Sequence, residues 1–279
     1  MPDEIEAQRM ENRNYWERVV DIHYQSKFYE VDRWIVEGMR MRPWEEDVIG
    51  RLDGKNVVHL QCHFGKDTLS LLSLGASSVT GIDFSESAIA KAVALSAKTG
   101  CQDRSNFIVC SVEEVPMSLP SRKYDMAYVS LGAINWIPKI ETWAAALSHL
   151  LKDNSTIFIH EVHPLSQVIA PKDSKWTIED SYFETSHAMT DESIGSYVED
   201  SESLGTFRTF LWNHSLGEIV LALAKHGFSI SLLDEHHWTS FLQYPEMEMI
   251  ETERYVLPDS WVKIPLSFTM VASRSGLRP

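Results

Sequence analysis

Hydrophobic positions recur along this chain with two different periods. Over residues 9–29, Trp16, Val19, Val20 and His23 share one helical face, and Glu17, Arg18 and Asp21 share the other. That spacing predicts one or two amphipathic helices, rich in aromatic rings (Tyr15, Tyr24, Phe28, Tyr29). From residue 55 onward, short apolar runs predict strands at 56–61, 78–83, 106–110, 124–131 and 155–161, with helical spacing between them at 66–74, 85–99 and 139–151. Such alternation predicts a parallel sheet with helices on both faces. Ser85 followed by Glu86 is a helix start, and Gly100 is the matching stop.

Past Pro164 the rhythm lapses. Residues 165–210 are rich in Ser, Asp and Glu, yet carry Trp176, Tyr182, Phe183, Tyr197, Phe207 and Phe210. An interruption this long inside a compact domain reads as a functional insertion or lid. A helix at 215–226 and strands at 228–234 and 261–273 close the chain. No repeat or linker divides it, so we expect one domain. Its parts are a helical lid over 1–50, a core over 51–164, an insertion over 165–214 and a C-terminal part of the core over 215–279.

Composition narrows the partners. The 279 residues hold 25 Lys+Arg against 40 Asp+Glu, a net charge of −15 with no basic block. Phosphate backbones are bound through basic patches, so nucleic acid is not expected. The start Met1-Pro2-Asp3-Glu4 lacks a signal-peptide pattern, and no apolar run approaches the ~18 residues that span a bilayer. Cys62, Cys101 and Cys110 form no CxxC pair and read as reduced thiols of a cytoplasmic protein.

The most informative segment is Asn56–Phe84, NVVHLQCHFGKDTLSLLSLGASSVTGIDF. It reads strand, Gly65-containing turn, helix, strand, with Asp83 at the carboxyl end of the second strand. In doubly wound sheets a carboxylate there accepts hydrogen bonds from ribose hydroxyls. The turn, Gln61-Cys62-His63-Phe64-Gly65, lacks the glycines that let a backbone approach a pyrophosphate, and no Walker loop is present. A nucleoside ligand without phosphates fits, and S-adenosylmethionine is one.

At these residues the chain resembles the class I S-adenosylmethionine-dependent methyltransferases. Val57–Gly65 aligns with V-L-D-L-G-C-G-x-G, with His59 in place of the acid and Gln61 and His63 in place of two glycines. Val79–Ser85 is similar to the ribose-binding strand end, and Asn106–Pro116 to the adenine-binding segment, with Ser111 where an Asp is usual. Tyr124–Ser130 resembles the fourth strand, and Leu150–Ser155 the turn that follows. The resemblance implies a Rossmann-like, doubly wound α/β fold with a seven-stranded sheet, an N-terminal helical lid and an insertion after the fifth strand. It implies S-adenosylmethionine as methyl donor, S-adenosylhomocysteine as product, and cofactor contacts at Gln61, His63, Gly65, Asp83, Phe84, Ser111, Val112, Glu113 and Ser130. Within the family the chain is similar to natural-product tailoring enzymes that act on small molecules.

Methyl transfer depends chiefly on holding donor and acceptor aligned. A base is needed when the acceptor is O–H or N–H, or when a cation left by C-methylation must lose a proton. His160, Glu161 and His163, at the end of the fifth strand, are the candidates. Alternation puts His160 and Val162 on one face and Glu161 and His163 on the other. H-E-x-H on a strand lacks the helical spacing of a zinc site, so no metal is expected. Tyr24, Phe28, Trp136 and Phe207 are expected to line the acceptor site, which suits an apolar or π-rich secondary metabolite, C-methylation of a prenyl chain included. O- or N-methylation, a non-methylating protein that uses bound cofactor, and a nucleoside-responsive interaction module remain open. A homo-oligomer could form through the aromatic N-terminal helix.

Overall fold

The computed structural model describes residues 2–172, 175–251 and 253–274. The chain opens with helices α1 (Pro2–Gln25), α2 (Val31–Val36) and α3 (Pro43–Ile49). Then come β1 (Asn56–Leu60), α4 (Lys66–Ser70), β2 (Ser78–Asp83), α5 (Glu86–Lys98), β3 (Ser105–Val109), the one-turn α6 (Val115–Ser118), β4 (Tyr124–Val129), α7 (Ile140–Leu150) and β5 (Leu151–Val162). The interruption predicted after Pro164 contains α8 (Pro164–Val168) and two hairpins. One pairs β6 (Ile169–Lys172) with β7 (Lys175–Ile178), the other β8 (Met189–Ile194) with β9 (Thr206–Leu211). After α9 (Leu216–Lys225) and β10 (Phe228–His236), the short strands β11 (Trp238–Thr239), β12 (Glu248–Glu251) and β13 (Arg254–Val256) form a small sheet, and β14 (Ser267–Arg274) follows.

The main sheet has seven strands in the order β10-β14-β5-β4-β1-β2-β3. The chain builds outward from β1 to β3, returns to β4 beside β1, and builds outward again. The strand order therefore reverses between β1 and β4, where doubly wound sheets place their ligands. β14 runs antiparallel to both neighbours, β5 and β10. The expected α/β sheet is thus present, with its interior strands reading as the near-continuous apolar runs that two-sided burial requires.

Element ends follow local chemistry. Ser85 caps α5 by accepting the amide hydrogen of Ala88 at 3.0 Å. Ser215 and Glu218 form a reciprocal capping box at α9. The segment after Leu150, expected as a turn, instead opens β5 at Leu151. Leu151 pairs with Tyr124, and the register then slips before Thr156 pairs with Met126, with Asn154 at φ +59°. One extra loop of residues is absorbed as an irregularity in the strand.

The two faces of the sheet differ. On one, Val58, Leu60, Ala127, Val129, Ile157, Ile159, Phe268, Met270 and Ala272 meet Trp143, Ala144 and Leu147 of α7 and Ile219 and Leu223 of α9 in an entirely apolar core. On the other, Val57, Val79, Met126 and Phe158 pack against Trp34, Met41, Leu69, Leu71 and Leu95. There the apolar pattern gives way toward the strand carboxyl ends: Val57 is followed two residues on by His59, Met126 by Tyr128 and Phe158 by His160, all buried. No helix among the described residues is long and apolar enough to cross a membrane.

Candidate active site

The polar band opens into a cavity of about 300 Å³ above the β1–β4 switch point. Its wall runs from Asp83 and Phe84 at the end of β2, past Gln61–Asp67 and Ser130–Ala133, to His160, Val162, Ser240 and Phe241. From β2 to β5 is three strand spacings, or roughly 14 Å. Aromatic rings from three separate segments close it: Trp16 of α1, Phe28 and Tyr29 after it, Trp136 beyond β4, and Tyr197 of the β8–β9 connection.

The turn after β1 keeps a glycine-like path without the glycines. Gln61 and His63 both sit in the left-handed region, at φ +57° and +50°. A non-glycine residue there costs roughly 1–2 kcal/mol, so both side chains should have work to do. Gln61 Nε2 donates to the carbonyl of Ala133 at 2.6 Å, tying the β1 turn to the β4 turn, and its Oε1 has no protein partner. The His63 ring lies 3.0 Å (Nε2) from His23 Nδ1 of α1, whose own Nε2 lies 2.8 Å from Ser196 Oγ. At Gly65, φ is +78° and a Cβ would come within 2.6 Å of Phe107 and 2.9 Å of Ala92. Only glycine lets the turn approach α5 this closely.

Asp83 is buried, with one oxygen accepting the amide of His63 (2.8 Å) and the other that of Ser85 (2.9 Å). Burial pushes its carboxyl up to about 6 despite these donors. Each oxygen keeps a further lone pair for a ligand hydroxyl. His59, where the family has an acid, is buried between Thr68 Oγ1 (2.8 Å) and Ser130 Oγ (3.0 Å), and burial lowers it to about 4.

Sequence reasoning missed a charged cluster on the same wall. Arg42 reaches Glu253 (2.7 Å), Glu45 (3.3 Å) and Asp67 (3.4 Å), and Tyr128 donates its hydroxyl to Glu45 at 2.8 Å. Burial raises Glu45 to about 7, while for Asp67 Arg42 and Lys66 outweigh burial and hold the acid down. The Lys66-Asp67 pair directly after Gly65 was the available signal. Arg42 and Glu45 lie far upstream and gave none.

Of the three candidate bases, only His160 faces this cavity. Its Nδ1 lies 3.0 Å from Thr269 Oγ1, its Nε2 has no protein partner, and burial lowers it to about 3, so it is neutral. Glu161 points to the opposite face. Its carboxylate accepts amides of Gly132, Ala133 (2.7 Å), Ile134 (2.9 Å) and Val162 (2.7 Å), so it anchors the turn after β4 and has no free edge for an acceptor. His163 caps α8 through Leu165 N–H (3.1 Å) and pairs with Glu235 (2.8 Å), outside the cavity.

Among the expected cofactor contacts, Gln61, His63, Gly65, Asp83, Phe84 and Ser130 line the cavity; Ser111, Val112 and Glu113 do not. Ser111 is consumed by a capping box with Glu114, Val112 is buried in the core, and Glu113 pairs with Arg9 of α1 (3.0 Å), which crosses this loop. Of the expected acceptor residues, Phe28 and Trp136 line the cavity. Tyr24 packs edge-on to Phe64, and Phe207 packs on Tyr15 beneath the face of Arg18. Both rings serve to seat α1.

Residues 57–154 match the family model for a methyltransferase domain. Among curated proteins, none matches the sequence significantly. The fold is similar to that of a protein from Listeria monocytogenes provisionally named an S-adenosylmethionine dependent methyltransferase (19% identity, 84% of this chain and 96% of that one, TM-score 0.61). It is similar also to an S-adenosylmethionine dependent methyltransferase from Mesorhizobium loti (18%, 83% and 96%, 0.58) and to geranyl diphosphate C-methyltransferase from Streptomyces coelicolor A3(2) (11%, 83% and 77%, 0.54). Residues 57–154 thus match a methyltransferase domain, and the fold is one that S-adenosylmethionine-dependent methyltransferases share.

The residues present fit that cofactor. Asp83 suits a ribose, and the narrow turn at Gly65 and the unpartnered Gln61 Oε1 suit an amino-acid tail carrying an ammonium. Bound there, S-adenosylmethionine supplies an electrophilic methyl group on a sulfonium.

Proposed function

We propose that the protein methylates a small, apolar or aromatic secondary metabolite, with the cofactor toward Asp83 and the acceptor toward His160. The carrying observation is that one cavity joins a ribose-type carboxylate at β2 to a neutral imidazole at β5 whose Nε2 has no protein partner, under a roof of aromatic rings. Asp83, His63, Gly65, Phe84, Gln61 and Ser130 hold the cofactor. Phe28 and Trp136, with Trp16, Tyr197 and Phe241, pack against the acceptor. Those ring faces would also favour a sulfonium or a developing carbocation by on the order of 0.5–2 kcal/mol each. His160 takes the proton that an O–H or N–H acceptor, or a C-methylated prenyl cation, must lose.

Helix α1 works as a lid. Glu17 accepts the amides of Glu86 (2.6 Å) and Ser87 (3.0 Å) at the start of α5, and the Asn12 amide brackets Phe210 of β9 with two bonds (2.7 and 2.8 Å). Strand β9 thus holds the lid in place. We place the enzyme in the cytoplasm as one methyltransferase domain, able to self-associate through α1. Calorimetry with S-adenosylhomocysteine, with NADH as control, tests the reading: micromolar binding of the first alone supports it, and failure of both removes its basis. A screen of prenylated and aromatic metabolites for mass gain of one methyl group then tests the acceptor class.

A further inference from the structure

His160, Thr269 and Asp234 stand in one rung across three strands: β5 pairs with β14 at His160↔Thr269, and β14 with β10 at Thr269↔Asp234. Alternation brings His236, two residues after Asp234, to the same face. The side chains meet in series. His160 Nδ1 and His236 Nε2 lie 3.0 and 2.8 Å from the Thr269 hydroxyl, and His236 Nδ1 lies 3.7 Å from the exposed Asp234 carboxylate.

A hydroxyl has a single hydrogen, so the ends of such a chain set its direction. The Asp234 anion favours the His236 hydrogen on Nδ1. His236 Nε2 then accepts from Thr269, and the Thr269 oxygen accepts Nδ1–H of His160. What remains is His160 Nε2, a buried lone pair with no protein partner on a residue that lines the cavity. We propose that Thr269, His236 and Asp234 are positioning residues that hold His160 in the tautomer with a bare Nε2, ready to accept the acceptor's proton.

Trp238 stacks on both imidazoles (centroids 5.2 Å from His160 and 4.6 Å from His236), which fixes their planes. Burial foremost, then His236 of β10, Arg42 from before α3 and Arg254 of β13, disfavour an imidazolium at His160, so the lone pair stays available. Arg254 is itself held between the faces of Trp44 and Trp238. The proposal rests on the reading of His160 as the group facing the acceptor. S-adenosylmethionine would supply the methyl group and keep the carbon–sulfur electron pair as it leaves as S-adenosylhomocysteine, and His160 Nε2 would take the proton that the acceptor loses. Thr269 steadies the resulting cation through Nδ1–H, and the proton passes to water as product leaves.

The test is long-range ¹H–¹⁵N NMR of the full chain labelled at histidine, with and without S-adenosylhomocysteine, the His160 signals being assigned by their loss in His160→Gln. The expected result is hydrogen on Nδ1 of His160. Thr269→Val, equal in shape, moves it to Nε2, Thr269→Ser restores Nδ1, and the exposed Asp234→Ala raises the Nε2–H population. Hydrogen on Nε2 in the unaltered protein, or no response to Thr269→Val, overturns the proposal. Calorimetry on the same samples keeps the two readings apart: absent binding of S-adenosylhomocysteine counts against the cofactor site, whereas the tautomer in ligand-free protein decides the positioning chain by itself.

Discussion

The two faces of one sheet are built from the same strands and from alternate residues, yet they do different jobs. Under α7 and α9 the face is apolar from Ala272 and Ile157 to Val129 and Leu60, with the buried Glu161 carboxylate at its β5 end tied up by four amides. Under α2, α3 and α4 it is apolar only over the first half of each strand and then presents His59, Tyr128, His160 and Thr269, each buried and each hydrogen-bonded to a neighbour. An apolar core needs no geometric precision from any one residue, and the carboxylate at its edge is closed off by backbone amides. A polar face in low dielectric must satisfy nearly every donor and acceptor, and the few left open are where a ligand belongs. The comparison teaches that stability in this enzyme is concentrated on one side of the sheet and chemistry on the other.

The largest break of that contrast should come from the apolar face. Phe268→Ala removes a wholly buried ring and should cost about 3–5 kcal/mol in urea-induced unfolding, with S-adenosylhomocysteine affinity unchanged in the folded fraction. Asp83→Asn should act mainly on affinity. It keeps the shape but loses a charged acceptor of about 1.5–3 kcal/mol, or about 10–150-fold in affinity. The loss of stability should be smaller than for Phe268→Ala, about 1–3 kcal/mol, because the amide nitrogen cannot accept one of the two backbone N–H groups.

The pH response sharpens this second case. The folded-state value of Asp83, about 6, lies above that of an ordinary aspartate, so the folded protein keeps a proton that the unfolded chain has released. The resulting stability is present below pH ~4 and lost as pH rises through 6. The ionised carboxylate proposed to bind ribose appears over that same rise. Calorimetry across pH 5 to pH 8 should therefore show affinity climbing through about 6 in the unaltered protein and a flat profile in Asp83→Asn.

Glu161→Gln probes the boundary between the faces. Its carboxylate serves four amides, so the change should lower stability by about 1–3 kcal/mol and leave cofactor affinity nearly intact. A loss of turnover without loss of stability would instead return Glu161 to the catalytic group. The smallest effect is expected at Gln61→Gly. Relief of the left-handed backbone and loss of the bond to Ala133 oppose each other, for a net change within ~1 kcal/mol, visible in thermal unfolding; weaker cofactor binding would show that Oε1 holds the ligand.

Much of this was legible in the residue order. The strand–helix alternation, the turn at Gly65, the cap at Ser85 and the placing of Asp83 at a strand end are local patterns, because hydrophobic period and capping chemistry act over a few neighbouring residues. So is the division of His160 from Glu161, which follows from the two-residue period of a strand. Other assignments were settled only by packing across long stretches of chain. Ser111, Val112 and Glu113 are turned to capping, core and the Arg9 pair once α1 lies over them. Tyr24 and Phe207 become supports of α1, and Arg42 and Glu45 reach Asp67 on the cavity wall. The rung His160–Thr269–Asp234 joins residues from three strands, the first two more than a hundred positions apart. Sequence alone determined which elements form and which ends carry polar groups, since those depend on short-range sterics and periodicity. Tertiary structure decided which polar atoms are consumed by neighbours and which are left open, since hydrogen-bond satisfaction in a buried site depends on every element that meets there.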